Sequence, residues 1–329
     1  MKSVVCRAFG EPNSLSFEEI EPIVPGHGQV RIAVKMASIN FFDILMIQGK
    51  YQRKPPFPFT VGTDAAGDVL EIGPGITTVK PGDRVMAFNL SGGAFAEEMV
   101  VAEENVFLLP SSIDYAAAAA LKSVYGTALY TLRDRARLKR DETLLVLGAA
   151  GGLGLALVEV GAILGARVIA AVGSDEKAER LRGRGVRDII VVSKNTLRES
   201  VNEFTGGTGV DVVADPVGGD LFDQAIKTAA WGARVCVLGF SSGRIPQLSV
   251  NYALLKSFDL IGVNYGGWVD RDPQAHRRET RDLIDMCATG TIKPAIYKVF
   301  SLDEAAKAMA MLQNRSVVGK VLLSTRPIH

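Results

Sequence analysis

Gly148-Ala149-Ala150-Gly151-Gly152-Leu153-Gly154 is too rich in glycine to be anything but a backbone site. Its chemistry is anion binding. Gly151 lets the main chain come close to a pyrophosphate, and Gly154 lets the following helix pack tightly on the preceding strand. The N-terminus of the helix that follows offers free N–H donors and the positive end of its dipole, with Gly152 and Leu153 in the turn that leads to it. The pattern is Ala149-x-Gly151-x-x-Gly154, with alanine where the first glycine of the dinucleotide fingerprint stands, so its weight rests on its flanks. Thr143–Leu147 is an apolar run short enough for a buried strand. Leu155–Leu164 has helical spacing, Gly165 ends it, and Arg167–Val172 reads as a second buried strand. Strand, glycine turn, helix and strand within about 30 residues make a dinucleotide-binding βαβ unit. The bland alternative is a glycine-rich turn in some other α/β protein.

The end of the second strand bears on which dinucleotide. NAD calls for a carboxylate about 20 residues past the turn, where it binds the ribose 2′-OH. That place falls at Val172 or Gly173, and neither is acidic. Ser174 and Lys177 follow, with Arg180 and Arg182 nearby, which suits a 2′-phosphate. The residues favour NADP; the alternative is that Asp175 fills the acidic role one turn late.

The elements around this unit fall into two styles. Up to about residue 120 the chain is a series of short strands split by Gly/Pro turns, at Val30–Lys35, Gly67–Gly73, Lys80–Ala87, Glu97–Val101 and Asn105–Leu108, which suggests a small barrel or sandwich. Asn40–Gly49 breaks that habit with helical spacing at Phe41, Ile44 and Leu45, and Asn40 is a favoured N-cap type. Ala116–Ala120 reads as a helix surface. From Asp114 the pattern is helical to Arg133; then Ile189–Val192, Val210–Ala214, Arg234–Gly239 and Leu260–Val263 continue as strands. Helical stretches at Glu176–Gly183, Thr196–Phe204 and Leu221–Ala230 lie between them. Six short apolar strands alternating with helices predict an α/β fold with a doubly wound parallel sheet. Two helices, Gln274–Ala288 and Leu302–Asn314, and a closing strand Gly319–Ser324 are expected to rejoin the first domain.

Composition bounds the function. The chain has 329 residues, 47% hydrophobic and 22% charged, with net charge +1, so nothing points to nucleic acid or an anionic membrane surface. No apolar run approaches the ~18 residues of a membrane span, and no signal-peptide core opens the chain. Cys6, Cys236 and Cys287 lack paired spacing, which fits a reducing cytoplasm.

Several ordered blocks carry a resemblance that covers nearly the whole chain: Ser38-Ile39-Asn40-Phe41-Phe42-Asp43 with Gly49-Lys50-Tyr51, Phe59 to Gly67, Tyr125-Gly126-Thr127-Ala128, the glycine turn, Asp215-Pro216-Val217-Gly218-Gly219, and Gly239-Phe240. They are similar to the zinc-independent NADPH:quinone oxidoreductase family of the medium-chain dehydrogenase/reductase superfamily. The resemblance implies a GroES-like catalytic domain over 1–123 with 266–329, and a Rossmann NADP-binding domain over 124–265. It also implies NADPH as cofactor, a homodimer, and no metal. Zinc-dependent members of the superfamily use cysteine and histidine where Asn40 and Thr63 stand here, and His27, His276 and His329 are scattered.

The same resemblance assigns residues. Asn40 faces the nicotinamide in the family and orients cofactor or substrate carbonyl. Tyr51 matches a tyrosine that gives a proton or hydrogen bond to a reduced carbonyl, or else packs as a loop aromatic on Pro55-Pro56. Leu45 stands where some quinone reductases carry a second tyrosine. Thr127 and Tyr130 match contacts to the nicotinamide amide and ribose; Gly173, Ser174 and Lys177 match the 2′-phosphate end. Pro216, Val217, Gly239, Phe240, Ser241, Val263, Asn264 and Tyr265 match stretches lining the nicotinamide. Lys320 reaches the cofactor or is a surface lysine.

The expected activity is NADPH-dependent hydride transfer to a quinone or an enone. One alternative is reduction of α,β-unsaturated acids or acyl-CoA esters, with Lys50, Arg53 and Lys54 as a basic mouth. Another is a non-enzymatic NADPH-binding structural or RNA-associated protein. The dimer is expected at the sixth strand, Phe258–Val263, unless a loop at Tyr265–Asp270 covers that edge.

Overall fold

The computed structural model describes residues 1–192 and 197–326. The chain divides into two compact units, Met1–Ser123 with Trp268–His329, and Val124–Gly267.

The first unit is β-rich and GroES-like, built on the strand Gln29–Ile39, whose burial alternates along much of its length as its apolar–polar alternation requires. Asp64–Ile72 pairs antiparallel along one side. On the other side Glu98–Ala102 takes the first half and Lys320–Ser324 takes Met36 to Ile39. Arg84–Phe88 and Val106–Leu108 extend the sheet one way and Ile296–Ser301 the other. A separate three-stranded sheet joins Ser16–Glu19, Lys2–Cys6 and Phe59–Thr60. Val30, Ile32, Val34, Val69, Phe95 and Phe300 form part of the core. The register has a chemical consequence: Ser38 lies opposite Asp64 and Ile39 opposite Val321. Residues 40, 64 and 320 therefore gather at one end of the sheet.

The alanine run corrects its expectation as a helix surface. Tyr115–Ala119 is helical, and Ala118, Ala119 and Ala120 are buried. The helix lies against the strands Asp64–Ile72 and Gln29–Ile39, where small side chains allow close approach.

The second unit is a Rossmann sheet. Its elements are β1 (Thr143–Leu147), α1 (Gly152–Ile163), β2 (Arg167–Val172), α2 (Asp175–Arg182), β3 (Asp188–Val191), α3 (Leu197–Thr205), β4 (Val210–Asp215), α4 (Gly219–Ala225), β5 (Ala229–Val237), α5 (Asn251–Lys256) and β6 (Asp259–Gly262). All six strands are parallel, in the order β3-β2-β1-β4-β5-β6. The central strands are largely apolar because helices cover both faces; Leu145, Leu147, Ile169, Val213 and Val235 are fully buried.

Several boundaries differ from those read in the sequence. The helix expected over Leu221–Ala230 stops at Ala225, one tight turn follows at Ile226–Thr228, and β5 already begins at Ala229. Thr228 favours the stop, since its hydroxyl donates to the Ala225 carbonyl. Tyr265–Asp270, expected as a loop, lies in the helix Tyr265–Arg271. α3 is described from Leu197, and the expected start at Thr196 lies outside the described residues, as does His329. No helix among the described residues is long and apolar enough to cross a membrane.

Candidate active site

In the second unit the candidate residues converge at the carboxyl ends of the parallel strands. The strand order reverses between β1 and β4, and a crevice outside the strand ends at such a point is the usual ligand site of an open α/β sheet. After β1 the chain turns at Gly148, with φ +61°, and Gly151 caps α1 with no side-chain hydrogen bond. The first-turn N–H groups at Gly152 and Leu153 are therefore not claimed by a capping side chain. Gly154 is glycine for packing, because a Cβ there would stand 2.2 Å from the Gly148 carbonyl oxygen. Gly151 is not required in that way: its Cβ would meet only the Gly148 oxygen, at 3.5 Å. A Cβ at Gly173 would meet nothing within 4 Å. These two glycines leave room that the protein does not fill, which fits a pyrophosphate and a ribose lying against the turn.

Val172 ends β2, and Ser174 caps α2 by accepting the Lys177 N–H at 3.4 Å. Ser174 and Lys177 are thus neighbours in the first turn of α2. Asp175, the carboxylate alternative, is exposed at the start of the same helix.

At the end of β4, Asp215 is fully buried and accepts the Val217 and Gly218 N–H groups at 2.7 and 2.8 Å, folding Pro216 and Val217 into a turn. Burial raises its carboxyl above the usual range. Ser241 N–H donates to the Pro216 carbonyl and Ser242 N–H to that of Val217, which ties the segment after β5, including Gly239 and Phe240, to the turn after β4. Val263 N–H donates to Val237, at the end of β5. The Asn264 amide oxygen accepts Gly267 N–H and starts the next helix.

Thr127 lies in the helix Lys122–Leu129, which widens into a π-helical segment at Tyr130–Arg135. The Thr131 hydroxyl donates to the Thr127 carbonyl at 2.6 Å. Single π-helical turns within helices are common at functional sites. The Tyr130 ring lies 6.0 Å from that of Tyr265, so these two candidates meet as an aromatic pair.

In the first unit the register gathers a buried polar cluster. Asn40 is 4% exposed and its side chain is held at both ends. Its Nδ2 donates to Asp64 at 2.6 Å and to Thr63 at 3.3 Å; its Oδ1 accepts from Lys320 at 2.6 Å. Lys320 also donates to the Ile39 carbonyl at 2.9 Å. It is not a surface lysine: its ammonium is buried in the cluster. Asp43 accepts the Asn40 backbone N–H at 2.7 Å, the structural role its place in the first turn suggests, and accepts the Thr63 hydroxyl at 3.3 Å. Burial, and then the nearby Asp64 charge, raises the Asp43 carboxyl; burial raises Asp64 and lowers Lys320, while the opposite charges restrain both. Ser123 donates to Asp64 at 2.5 Å, and beside it Lys122 is paired with Glu279 at 3.4 Å, both fully or almost fully buried. Burial lowers Lys122 to about 8.

Tyr51 is half-buried and stacks on Phe42, with centroids 5.5 Å apart. Burial raises its phenol, which keeps it protonated and able to donate. Arg53 is ion-paired with Asp270, and Lys54 lies over the Phe9 ring, so two of the three basic residues at 50–54 are engaged within the unit.

Sequence reasoning missed Asp64, Ser123, Lys122, Glu279 and His276. One signal was present: the buried stripe of the helix Pro273–Ala288 is His276, Glu279, Thr280 and Leu283, at helical spacing. Polar residues on an apolar stripe mark a buried network.

Comparison with known proteins places this geometry. Residues 26–111 match the alcohol dehydrogenase GroES-like domain family, and residues 152–288 the zinc-binding dehydrogenase family. The chain is 38% identical to quinone oxidoreductase-like protein 2 of Bos taurus, over 99% of this chain and 93% of that protein. It is 30% identical to acryloyl-coenzyme A reductase of Metallosphaera sedula, over 99% of this chain and all (100%) of that one. The structure of Escherichia coli quinone oxidoreductase complexed with NADPH superposes with a TM-score of 0.91 at 28% identity, covering 98% of this chain and 100% of that chain. Among the described residues no group of three or more His, Cys, Asp or Glu side chains is placed to hold a metal ion. The chain belongs to the zinc-independent quinone oxidoreductase family of the medium-chain dehydrogenase/reductase superfamily.

Proposed function

We propose that this protein is an NADPH-dependent reductase of quinones or activated alkenes such as enones, working without a metal. The observation that carries the reading is the convergence of the glycine turn, the Ser174–Lys177 turn and the Asp215-braced turn on the carboxyl ends of one parallel sheet. Bound NADPH would supply a hydride. The chain's own residues bind and orient: Gly151, Gly152, Leu153 and Gly154 take the pyrophosphate on α1, and Gly173, Ser174 and Lys177 take the 2′-phosphate. Thr127, Tyr130, Pro216, Val217, Gly239, Phe240, Ser241, Val263, Asn264 and Tyr265 position the nicotinamide end. Asn40 orients the cofactor through the lone pair left on its Oδ1, and Tyr51 gives a hydrogen bond to the oxygen that gains charge, where such bonds act. Asn40 and Thr63 stand at the places where metal-dependent relatives carry ligands, and the buried Lys320 ammonium supplies a fixed positive charge there.

Turnover of NADPH and NADH against a panel of quinones, enones and unsaturated acyl-CoA esters tests this. Oxidation of NADPH with quinones or enones, in metal-stripped protein, is expected. Equal use of NADH, or activity lost with a stoichiometric metal, would overturn it. The acyl-CoA reading draws on the Metallosphaera relative, but Arg53 and Lys54 are engaged, leaving Lys50 alone as the basic mouth. The near-neutral charge gives no reason to expect RNA.

The same reading includes a homodimer through the β6 edge. β6 ends the sheet, and Val250, Leu254 and Trp231 are 79%, 78% and 76% exposed on the neighbouring segments. Pairing two such edges about a twofold axis would continue the sheet and cover this surface. Sedimentation at micromolar concentration should show a dimer that dissociates in Val250→Glu/Leu254→Glu. A monomer in the wild type would refute it.

A further inference from the structure

We propose that Asp64 and Lys320 are positioning residues for the Asn40 amide, fixing which of its ends carries the oxygen and which the nitrogen. The inference rests on the reading that Asn40 acts on the reacting groups. A primary amide has two nearly isosteric ends, and a free asparagine presents either one. Here the ends are distinguished by partners of opposite sense. Lys320 is donor only and meets Oδ1 at 2.6 Å; the Asp64 carboxylate accepts and meets Nδ2 at 2.6 Å. Turning the amide over would set NH2 against an ammonium and an oxygen against a carboxylate. Asn40, Asp64 and Lys320 are 4%, 1% and 5% exposed, so water does not readily replace either partner.

Each partner is itself braced. Asp64 accepts Ser123 at 2.5 Å, and Lys320 donates to the Ile39 carbonyl at 2.9 Å. The main-chain register on both sides of Gln29–Ile39 sets where they stand, so the amide is held by the sheet rather than by a loop. Stability alone does not demand this arrangement. Buried ion pairs can often be exchanged for packed apolar groups at no loss, and what such polar sites contribute instead is a unique arrangement. One lone pair of Oδ1 remains beyond the Lys320 bond, so a held Asn40 still has capacity to accept.

The test compares Lys320→Met, Lys320→Arg, Asp64→Ala and Asp64→Asn in steady-state turnover of NADPH with an accepted quinone or enone. In Lys320→Met and Asp64→Ala, kcat should fall about tenfold or more while KM for NADPH moves less than about threefold, the signature of misplaced rather than lost binding. Asp64→Asn keeps an acceptor oxygen and Lys320→Arg keeps a cationic donor, so each should recover most of kcat. A second readout needs no turnover. In 15N-labelled wild type the Asn40 side-chain NH2 pair, identified by its loss in Asn40→Ala, should be shifted and slow to exchange with solvent. In Lys320→Met it should exchange faster. Unchanged kcat in folded Lys320→Met and Asp64→Ala, or a wild-type Asn40 amide that exchanges at the free rate, would overturn the proposal. If no acceptor is turned over at all, the functional reading fails, and the amide exchange still decides the positioning.

Discussion

The two candidate sites are built on opposite plans. The site in the second unit is mostly main chain: N–H groups at the head of α1, a serine cap on α2, and a carboxylate that folds the turn after β4. The site in the first unit is mostly side chain: residues from 40, 43, 63, 64, 122, 123, 279 and 320 meet in a buried cluster. A main-chain site depends on what is absent, a Cβ here or a bulky group there. A buried side-chain site depends on every partner being present. The fold of the first should tolerate charge changes, and added bulk should harm either its fold or its cofactor binding; the fold of the second should fail on lost charges.

The largest effect is expected in the side-chain cluster. Glu279→Ala leaves the buried Lys122 ammonium without its carboxylate, and breaking a buried pair in this way costs about 3–5 kcal/mol. The double variant Lys122→Met/Glu279→Leu should restore most of that stability in urea unfolding. A single variant within 1 kcal/mol of wild type would show that the cluster is not sensitive to its charges, and the contrast between the two sites would collapse.

The next effect lies in the glycine turn and separates its two glycines. Gly154→Ala puts a Cβ 2.2 Å from the Gly148 oxygen, so the turn must shift and stability should fall by about 2 kcal/mol. Gly151→Ala meets only one atom, at 3.5 Å, so its fold should stand within about 1 kcal/mol while NADPH affinity falls about tenfold. Thermal melts and a fluorescence titration with NADPH read both. Equal destabilisation by the two substitutions would mean that neither glycine is reserved for a ligand.

Legibility in the sequence follows the same division. Local signals gave the βαβ unit, since Thr143–Leu147 and Arg167–Val172 are strands over those very residues and the glycine turn lies between them. The alternation in Val30–Lys35 marked a strand but not its reach to Ile39, because the last residues are buried on both faces and lose the period. The polar cluster was invisible apart from Asn40, Asp43, Thr63 and Lys320. Nothing local links Asp64 to Ser123 or Lys122 to Glu279; sheet register and helix packing join them across long stretches of chain. The alanine run misled because alanine serves a surface helix and a closely packed one equally well.

A smaller effect tests the cofactor end of the main-chain site. Lys177→Ala removes a cation that would face the 2′-phosphate, and NADPH should bind about tenfold more weakly, close to 1.4 kcal/mol, with NADH little changed. A parallel loss for both cofactors would mean that Lys177 supports α2 rather than reading the phosphate.

The smallest effect at neutral pH, and the one that sharpens the contrast most, is acid sensitivity in the first unit. His276 is 1% exposed, its Nε2 has no hydrogen-bond partner, and it lies beside the Phe88 and Phe107 rings. Burial, and then the Lys122 and Arg277 charges, lowers its pKa from 6.5 to about 3, so the folded protein holds it neutral. The unfolded chain takes up a proton below 6.5 and the folded one does not until about 3. A depressed folded pKa contributes stability that is present above the unfolded value and is lost as pH falls toward the folded value, at up to about 1.4 kcal/mol per pH unit. His276→Phe should therefore differ little from wild type at pH 7 and be relatively more stable at pH 5, as read by urea unfolding at each pH. Parallel loss of stability in both proteins between pH 7 and 5 would show that the acid response comes from the carboxylates and not from this ring.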